Sequence, residues 1–372
     1  MTGRSRIAGT GRRPEERGQD MRVGLHLGYQ NLHGKPDAET FMRETRFAIE
    51  AEAMGFDFVG PVEHHFTDYA ACPDPFGMLS YVAAKTSTIE LITAAVILPW
   101  NNPLRVAEQA LQLDILSEGR LILGMGRGAA RREFRSFGVE LADSRELFDE
   151  ACLLIMDAVE TGIFEADTPH FKVPRTELRP RPFKSFKDRT VMVSMSPSSV
   201  EVAARYGLKT LRFSQGDWRN AVPEINQYKA TFKELHGRDA PPFIISDFMI
   251  CFDDRNRVAD YTDRYFGPMF QTVANHYEFM SPHFKELPSY STYAYMGEAA
   301  ERAGGADKAY KDYIGGNMIG TPEHLIEHHK ERFAMVGDYE MLCNFSFGGM
   351  PYELVYEQAR LFADKVMPHI KG

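Results

Sequence analysis

From Arg22 onward, short apolar runs alternate with stretches of helical period, and this alternation organises the whole chain. Arg22 to Leu27 reads as a first strand. Glu39 to Met54 carries Phe41, Ala48, Ile49 and Ala53 at helical spacing and meets a glycine stop at Gly55. Phe56 to Val59 is a second strand, and Pro75 opens a helix through Ala84, proline being tolerated in a first turn. Ile89 to Pro99 is a nearly continuous apolar strand of the kind buried on both faces of a parallel sheet. Pro103 to Leu116 is a helix ended by Ser117-Glu118-Gly119, and Arg120 to Met125 is a fourth strand. Further strands are predicted over Thr190–Met195, Lys209–Phe213, Pro242–Cys251 and Glu340–Phe347. The helices between them run from Asp143 or Ser144, as cap, to about Glu160, then over Pro197–Tyr206, Asn220–His236, Arg255 to about Ala274, and Tyr352–Val366. Eight strand–helix units without a linker or repeat predict an α/β fold, one closed (β/α)8 barrel spanning 21–372.

Three stretches depart from the repeat. Thr161 to Asp188 is proline-rich and basic, an insertion before the fifth strand. His276 to Gly320, with Gly297, Gly304, Gly305, Gly315 and Gly316, is long enough to serve as a mobile lid at the carboxyl-end mouth. Residues 1–20 carry five arginines and little apolar content, which excludes a secretory signal and predicts a disordered leader.

The chain has 372 residues, 44% hydrophobic and 26% charged, as in an ordinary globular protein. Its formal net charge of -9 argues against nucleic acid or an anionic membrane as partner. Cys72, Cys152, Cys251 and Cys343 are scattered without metal-like spacing, so free thiols in a reducing cytoplasm are expected.

Candidate chemistry gathers just past strand ends, where parallel α/β proteins place their ligands. Glu63-His64-His65-Phe66 follows the second strand, bringing a carboxylate and two imidazoles suited to proton exchange. The alternative is a solvated loop in which both histidines cap or pack. Gly124-Met125-Gly126-Arg127-Gly128 follows the fourth strand. It lacks the acidic partner of a dinucleotide fingerprint, but its small residues admit a ligand and Arg127 supplies a cation. Ser194-Met195-Ser196-Pro197-Ser198-Ser199 joins a strand to a helix. Taken with Arg127 and Arg145 it reads as a phosphate site, and taken alone as a serine cap. Ala94 and Ala95 leave space for a planar group, while Phe66, Tyr69, Trp100, Phe213 and Trp218 suggest an apolar, aromatic-lined pocket. His324, His328 and His329 read as a solvated helix face. Adjacent His64 and His65 would diverge on a strand, so no metal site is expected.

In order along the chain, Glu63-His64-His65-Phe66-Thr67, Thr93-Ala94-Ala95-Val96-Ile97-Leu98-Pro99, Pro103-Leu104-Arg105-Val106-Ala107-Glu108, Leu116-Ser117-Glu118-Gly119-Arg120, Gly124 to Gly128, Phe134-Arg135-Ser136-Phe137-Gly138, Asp143-Ser144-Arg145 and Asp364-Lys365-Val366-Met367-Pro368 resemble the bacterial luciferase-like flavin-dependent monooxygenases, in particular the luciferase catalytic subunit. The resemblance covers nearly everything from Met21 to Lys371. It implies a TIM barrel that binds reduced FMN (FMNH2) at its mouth, activates O2 as a flavin hydroperoxide and oxidises a small organic substrate such as an aldehyde, ketone or natural-product intermediate. It also implies a separate NAD(P)H:flavin reductase and a homodimer. Residue by residue, His64 is similar to the catalytic histidine and Glu63 to a residue touching the isoalloxazine. Ala94-Ala95 matches a non-proline cis peptide under the ring, and Arg127, Arg145, Ser196 and Ser199 match the phosphate contacts. Two positions depart from luciferase: Gly126 stands in place of a reactive cysteine, and Met195 in place of a glutamate. A deazaflavin-dependent dehydrogenase and a non-catalytic flavin-binding protein are the alternative readings. The intact histidine segment weighs against the second.

Overall fold

The computed structural model describes residues 21–278 and 313–371, with 281, 283, 284, 287, 290, 294, 297, 298, 301, 302, 304, 310 and 311 between them. The expected leader, and much of the expected lid, lie outside the described residues.

Numbered along the chain, the strands are β1 (Val23–Leu27), β2 (Phe58–Pro61), β3 (Glu90–Ile92), β4 (Val96–Ile97), β5 (Leu121–Gly126), β6 (Ile163–Asp167), β7 (Lys172–Glu177), β8 (Thr190–Val193), β9 (Lys209–Phe213), β10 (Phe243–Cys251), β11 (Met318–Gly320) and β12 (Tyr339–Asn344). Parallel pairing runs β10-β12-β1-β2-β3-β5-β8-β9, and β9 pairs back onto β10, so eight strands close a barrel. They are the eight strands predicted from the sequence, and the fold is a TIM barrel. Register is continuous around it: Leu25 faces Cys343 on one side and Val59 on the other, and Ile244 faces Leu211 at the closure.

Phe58, Ile92, Ile122, Val191, Leu211, Ile244 and Leu342 form a buried cluster, one apolar residue from nearly every barrel strand. Gly24 makes room for it, since a Cβ there would come within 2.4 Å of the Phe58 ring. The larger apolar core lies between strands and helices. At the amino end, Lys209 reaches Glu340 at 2.8 Å, and Arg22 pairs with Glu90 and Glu340. The opposite end of the barrel is left for ligands.

The structure corrects several expectations. The Ile89–Pro99 strand is broken: β3 stops at Ile92, the Ala94-Ala95 peptide is cis, and β4 resumes for two residues before a 3-10 turn over Leu98–Trp100. Apolar composition alone marked the run as buried, and it is buried, but it is not all strand. The 161–188 insertion contains an antiparallel hairpin of β6 and β7 that buries Phe164 and Ala166. Asp143 makes no capping bond, and the buried Ser144 hydroxyl turns to Tyr290 instead. His329 does not belong to a solvated face: it is buried and bonds the Tyr339 hydroxyl at 2.8 Å. Arg332, one turn on, is fully buried with both guanidinium amino groups on Asp247, at 2.7 and 2.9 Å. None of the described helices is long and apolar enough to cross a membrane.

Glu44, on α1 (Asp37–Glu50), is fully buried and accepts hydrogen bonds from Ser346 and from the Tyr352 hydroxyl. Burial pushes its carboxyl up to about 7. Between the ordinary value of 4.5 and about 7, the folded chain therefore holds a proton that the unfolded chain has lost. This contribution to stability is complete below that window and declines as pH rises through it. Glu44→Gln should flatten the fall in melting temperature between about pH 4.5 and 7, measured against the parent chain. An unchanged slope would contradict the assignment.

Candidate active site

The carboxyl ends of the barrel strands surround a cleft that mixes polar and apolar groups. Its lining includes Glu63, His64, Ala94, Ala95, Gly126, Arg127, Met195, Ser196, Ser199 and Phe213. Residues chosen from five separate sequence segments thus meet in one cleft.

The floor is built from small residues. Ala94 and Ala95 lie at the break after β3, and Gly126 ends β5 beside them. A Cβ on Gly126 would stand 3.3 Å from the Ala95 methyl and 2.8 Å from Ile97. Beneath, the buried His26 ring is held by the Ser246 hydroxyl at 2.8 Å, and burial pushes it down to about 4, which keeps it neutral.

One wall gathers hydroxyls and guanidinium groups at a helix start. Ser196 caps α6 (Pro197–Tyr206), its hydroxyl accepting from the Ser199 backbone N–H. The Ser196 and Ser199 hydroxyls are 3.0 Å apart, and Arg145 donates to Ser199 at 2.9 Å. Arg145 comes from α5 (Ser144–Thr161) and is steadied by Asp149 at 3.6 Å. The guanidinium of Arg127 lies 3.9 Å from the centre of the Tyr290 ring, a cation–π contact. The Tyr290 hydroxyl also bonds the Gly128 carbonyl and Ser144, both at 2.9 Å, so Tyr290 is fixed to this wall at two points.

The other wall carries the titratable groups. His64 Nδ1 lies 3.1 Å from Glu133 Oε1 and 3.2 Å from His276 Nε2, and its Nε2 lies 3.1 Å from the Tyr277 hydroxyl. Glu133 comes from a short helix, α4 (Arg131–Phe137), and also accepts from the His65 backbone N–H at 2.7 Å. Burial alone would raise its carboxyl, but His64 and His276 outweigh that and hold it well below the usual range. Burial pushes His276 down to about 4, although Glu133 pulls the other way.

Glu63 also lines the cleft. Its carboxylate accepts from Trp100 Nε1 at 2.7 Å, the Ile97 N–H at 2.9 Å and Asn101 at 3.1 Å, with His65 Nε2 at 3.3 Å. It therefore pins the segment that follows the Ala94-Ala95 bend.

Four observations now stand together: an eight-stranded barrel, a cis bend after the third barrel strand, a serine–arginine wall at the start of α6 and a cluster of two histidines on Glu133. A family model described as luciferase-like monooxygenase matches residues 21–339. The chain belongs to the luciferase-like monooxygenase family. It is 28% identical to the alkanal monooxygenase alpha chain of Photobacterium leiognathi, over 91% of this chain and 96% of that one. Its fold also matches the FMN-bound oxygenating constituent of 3,6-diketocamphane monooxygenase from Pseudomonas putida. There the TM-score is 0.72 at 18% identity, covering 94% of this chain and 99% of that one. An F420-dependent secondary alcohol dehydrogenase has the same fold, with TM-score 0.70 at 16% identity and the same coverages.

Against this luciferase-like frame, the aromatic residues expected to line a substrate pocket separate. Phe213 lines the cleft. Phe66 is 63% exposed and packs outside beside His65 and Phe137. Trp100 sits behind Gly128, where a Cβ would meet its ring at 2.9 Å, and stacks on Phe137. Trp218 is buried under Arg332 and bonded to the Gly316 carbonyl. Their positions near strand ends were legible, but the direction of each side chain was not. Sequence reasoning missed Glu133, His276, Tyr277 and Tyr290. Glu133 lies among three arginines without a motif of its own, and the other three fall within the stretch expected as a lid.

Glu63→Ala should destabilise the fold by about 3 kcal/mol, because it strands several buried donors at once. Urea unfolding checks this, and a loss below about 1 kcal/mol would show that the Ile97–Asn101 segment is held by something else.

Proposed function

We propose that the chain is the oxygenase of a two-component system. Reduced FMN from a separate NAD(P)H:flavin reductase binds the cleft and, when bound, supplies the electrons that activate O2 for transfer of one oxygen atom to a small apolar organic substrate. One observation carries the reading: a floor of small residues and an anion cradle share a single cleft with His64. A flat ring requires close approach to backbone, which Ala94, Ala95 and Gly126 permit. A phosphate requires a cation and converging donors, which Arg145, Ser196, Ser199 and the start of α6 offer. The residues present therefore fit FMN.

The chain's own groups divide the remaining work. Arg127 and Arg145, with the two serines, hold the phosphate, and Met195 and Gly126 shape the wall beside the ring. His64 moves a proton at an imidazole nitrogen, oriented by Glu133 and Tyr277. Glu63 acts by positioning the Ile97–Asn101 segment. Tyr277 and Tyr290 line the cleft with their rings, which favours water exclusion. Phe213, Val62 and Ile97 give the substrate an apolar surface, in keeping with an aldehyde, ketone or natural-product intermediate. The four free, buried cysteines accord with a reducing cytoplasm. A homodimer accords with the exposed Met42 and Tyr81 on neighbouring helices.

A deazaflavin-dependent dehydrogenase is the second reading, supported by the shared fold of the F420-dependent alcohol dehydrogenase. Oxygen consumption with reduced FMN and candidate substrates separates the two. Within the first reading, Arg127→Ala should weaken anaerobic binding of reduced FMN about 10- to 100-fold, the value of a charge-assisted contact. His64→Ala should leave that affinity within about threefold and lower product formation instead. Equal losses of binding in the two variants would contradict the division of roles.

A further inference from the structure

The histidine cluster has a geometry that proton transfer alone does not call for. His64 Nδ1, Glu133 Oε1 and His276 Nε2 form a triangle with sides of 3.1, 3.2 and 3.5 Å. Ligands about 2.0–2.1 Å from a tetrahedral Zn2+ lie roughly 3.3 Å from one another. The three atoms thus occupy the positions of one face of such a site. The three residues come from the loop after β2, from α4 and from the end of α8 (Arg255–His276), so no sequence spacing announced them.

Two further features favour a cation over a hydrogen-bonded triangle. Each imidazole has an acceptor for its other nitrogen: His276 Nδ1 is 2.8 Å from the Thr67 hydroxyl, and His64 Nε2 is 3.1 Å from that of Tyr277. Metal-bound histidines are held in this way, with the outer N–H donated and the inner lone pair presented. Glu133 Oε2, meanwhile, is buried with no hydrogen-bond partner among the described residues. The carboxylate therefore has an unused oxygen for bidentate ligation or for a metal-bound water. In the absence of a cation, two ring nitrogens 3.2 Å apart compete for the same carboxylate oxygen.

We propose that His64, Glu133 and His276 form a binding site for a divalent cation of the Zn2+ class, with water in the fourth position. The donor set of two imidazoles and one carboxylate suits Zn2+ and Co2+ and disfavours Mg2+ and Ca2+, which require more oxygen ligands. Occupancy engages the His64 Nδ1 lone pair and locks the ring. If His64 handles protons as proposed above, bound metal slows turnover. The binding claim itself does not depend on that.

The test uses the full chain, treated with a chelator and free of flavin, titrated with Co2+ and followed by visible absorption and calorimetry. The expected result is a saturable tetrahedral d–d band at one cation per chain, displaced by Zn2+. His276→Ala and Glu133→Gln should each lower the affinity at least ~10-fold, and Thr67→Val, which leaves every ligand in place, about 10-fold. His170→Ala, which alters a surface His170–Glu150 pair, should leave the affinity unchanged. Variants are compared only where their melting curves match that of the parent. Absence of the band, or a band that survives the cluster variants but is lost in His170→Ala, would overturn the proposal. Because flavin is absent throughout, failure here leaves the monooxygenase reading intact.

Discussion

Closure of the barrel at the β9–β10 pairing is the constraint on which the rest of the molecule depends. In a closed ring of parallel strands every carboxyl end must emerge on one rim, whatever the distance along the chain. That is why Glu63, Ala94, Gly126, Ser196 and Phe213, far apart in sequence, line a single cleft. Lysine, arginine and glutamate pairs join the strands at the other rim.

Above the barrel, buried carboxylates organise the site. Glu63 gathers three donors from the segment after the cis bend. Glu133 collects the His65 N–H and His64, with His276 close by. Each takes partners from elements that the barrel alone would not bring together. The site has a floor of small residues, a cationic wall and a histidine wall, with Tyr277 bonded to the last and Tyr290 to the segment after β5.

How much of this was legible in the sequence follows from which physical rule wrote each signal. Burial on both faces makes barrel strands continuously apolar, so all eight were readable. The same rule overextended the third strand, because the bend at Ala94-Ala95 is apolar as well. Local signals such as the Ser196 cap and the small residues of Gly124 to Gly128 were readable, since they depend on backbone needs. Side-chain direction was not. Trp100 and Trp218 stand near strand ends yet point into packing. Glu133 and His276 join His64 only through tertiary contact, and His329 turned inward because Tyr339 offered its hydroxyl.

The central claim is that one cleft holds the flat ring on small residues and the phosphate in the arginine–serine cradle. Its most direct test compares anaerobic dissociation constants for reduced FMN and reduced riboflavin, which differ only in the phosphate. The account predicts that riboflavin binds at least ~10-fold more weakly, and that Ser199→Ala narrows the gap. Equal affinity for the two flavins, or a gap untouched by the cradle variant, would contradict it.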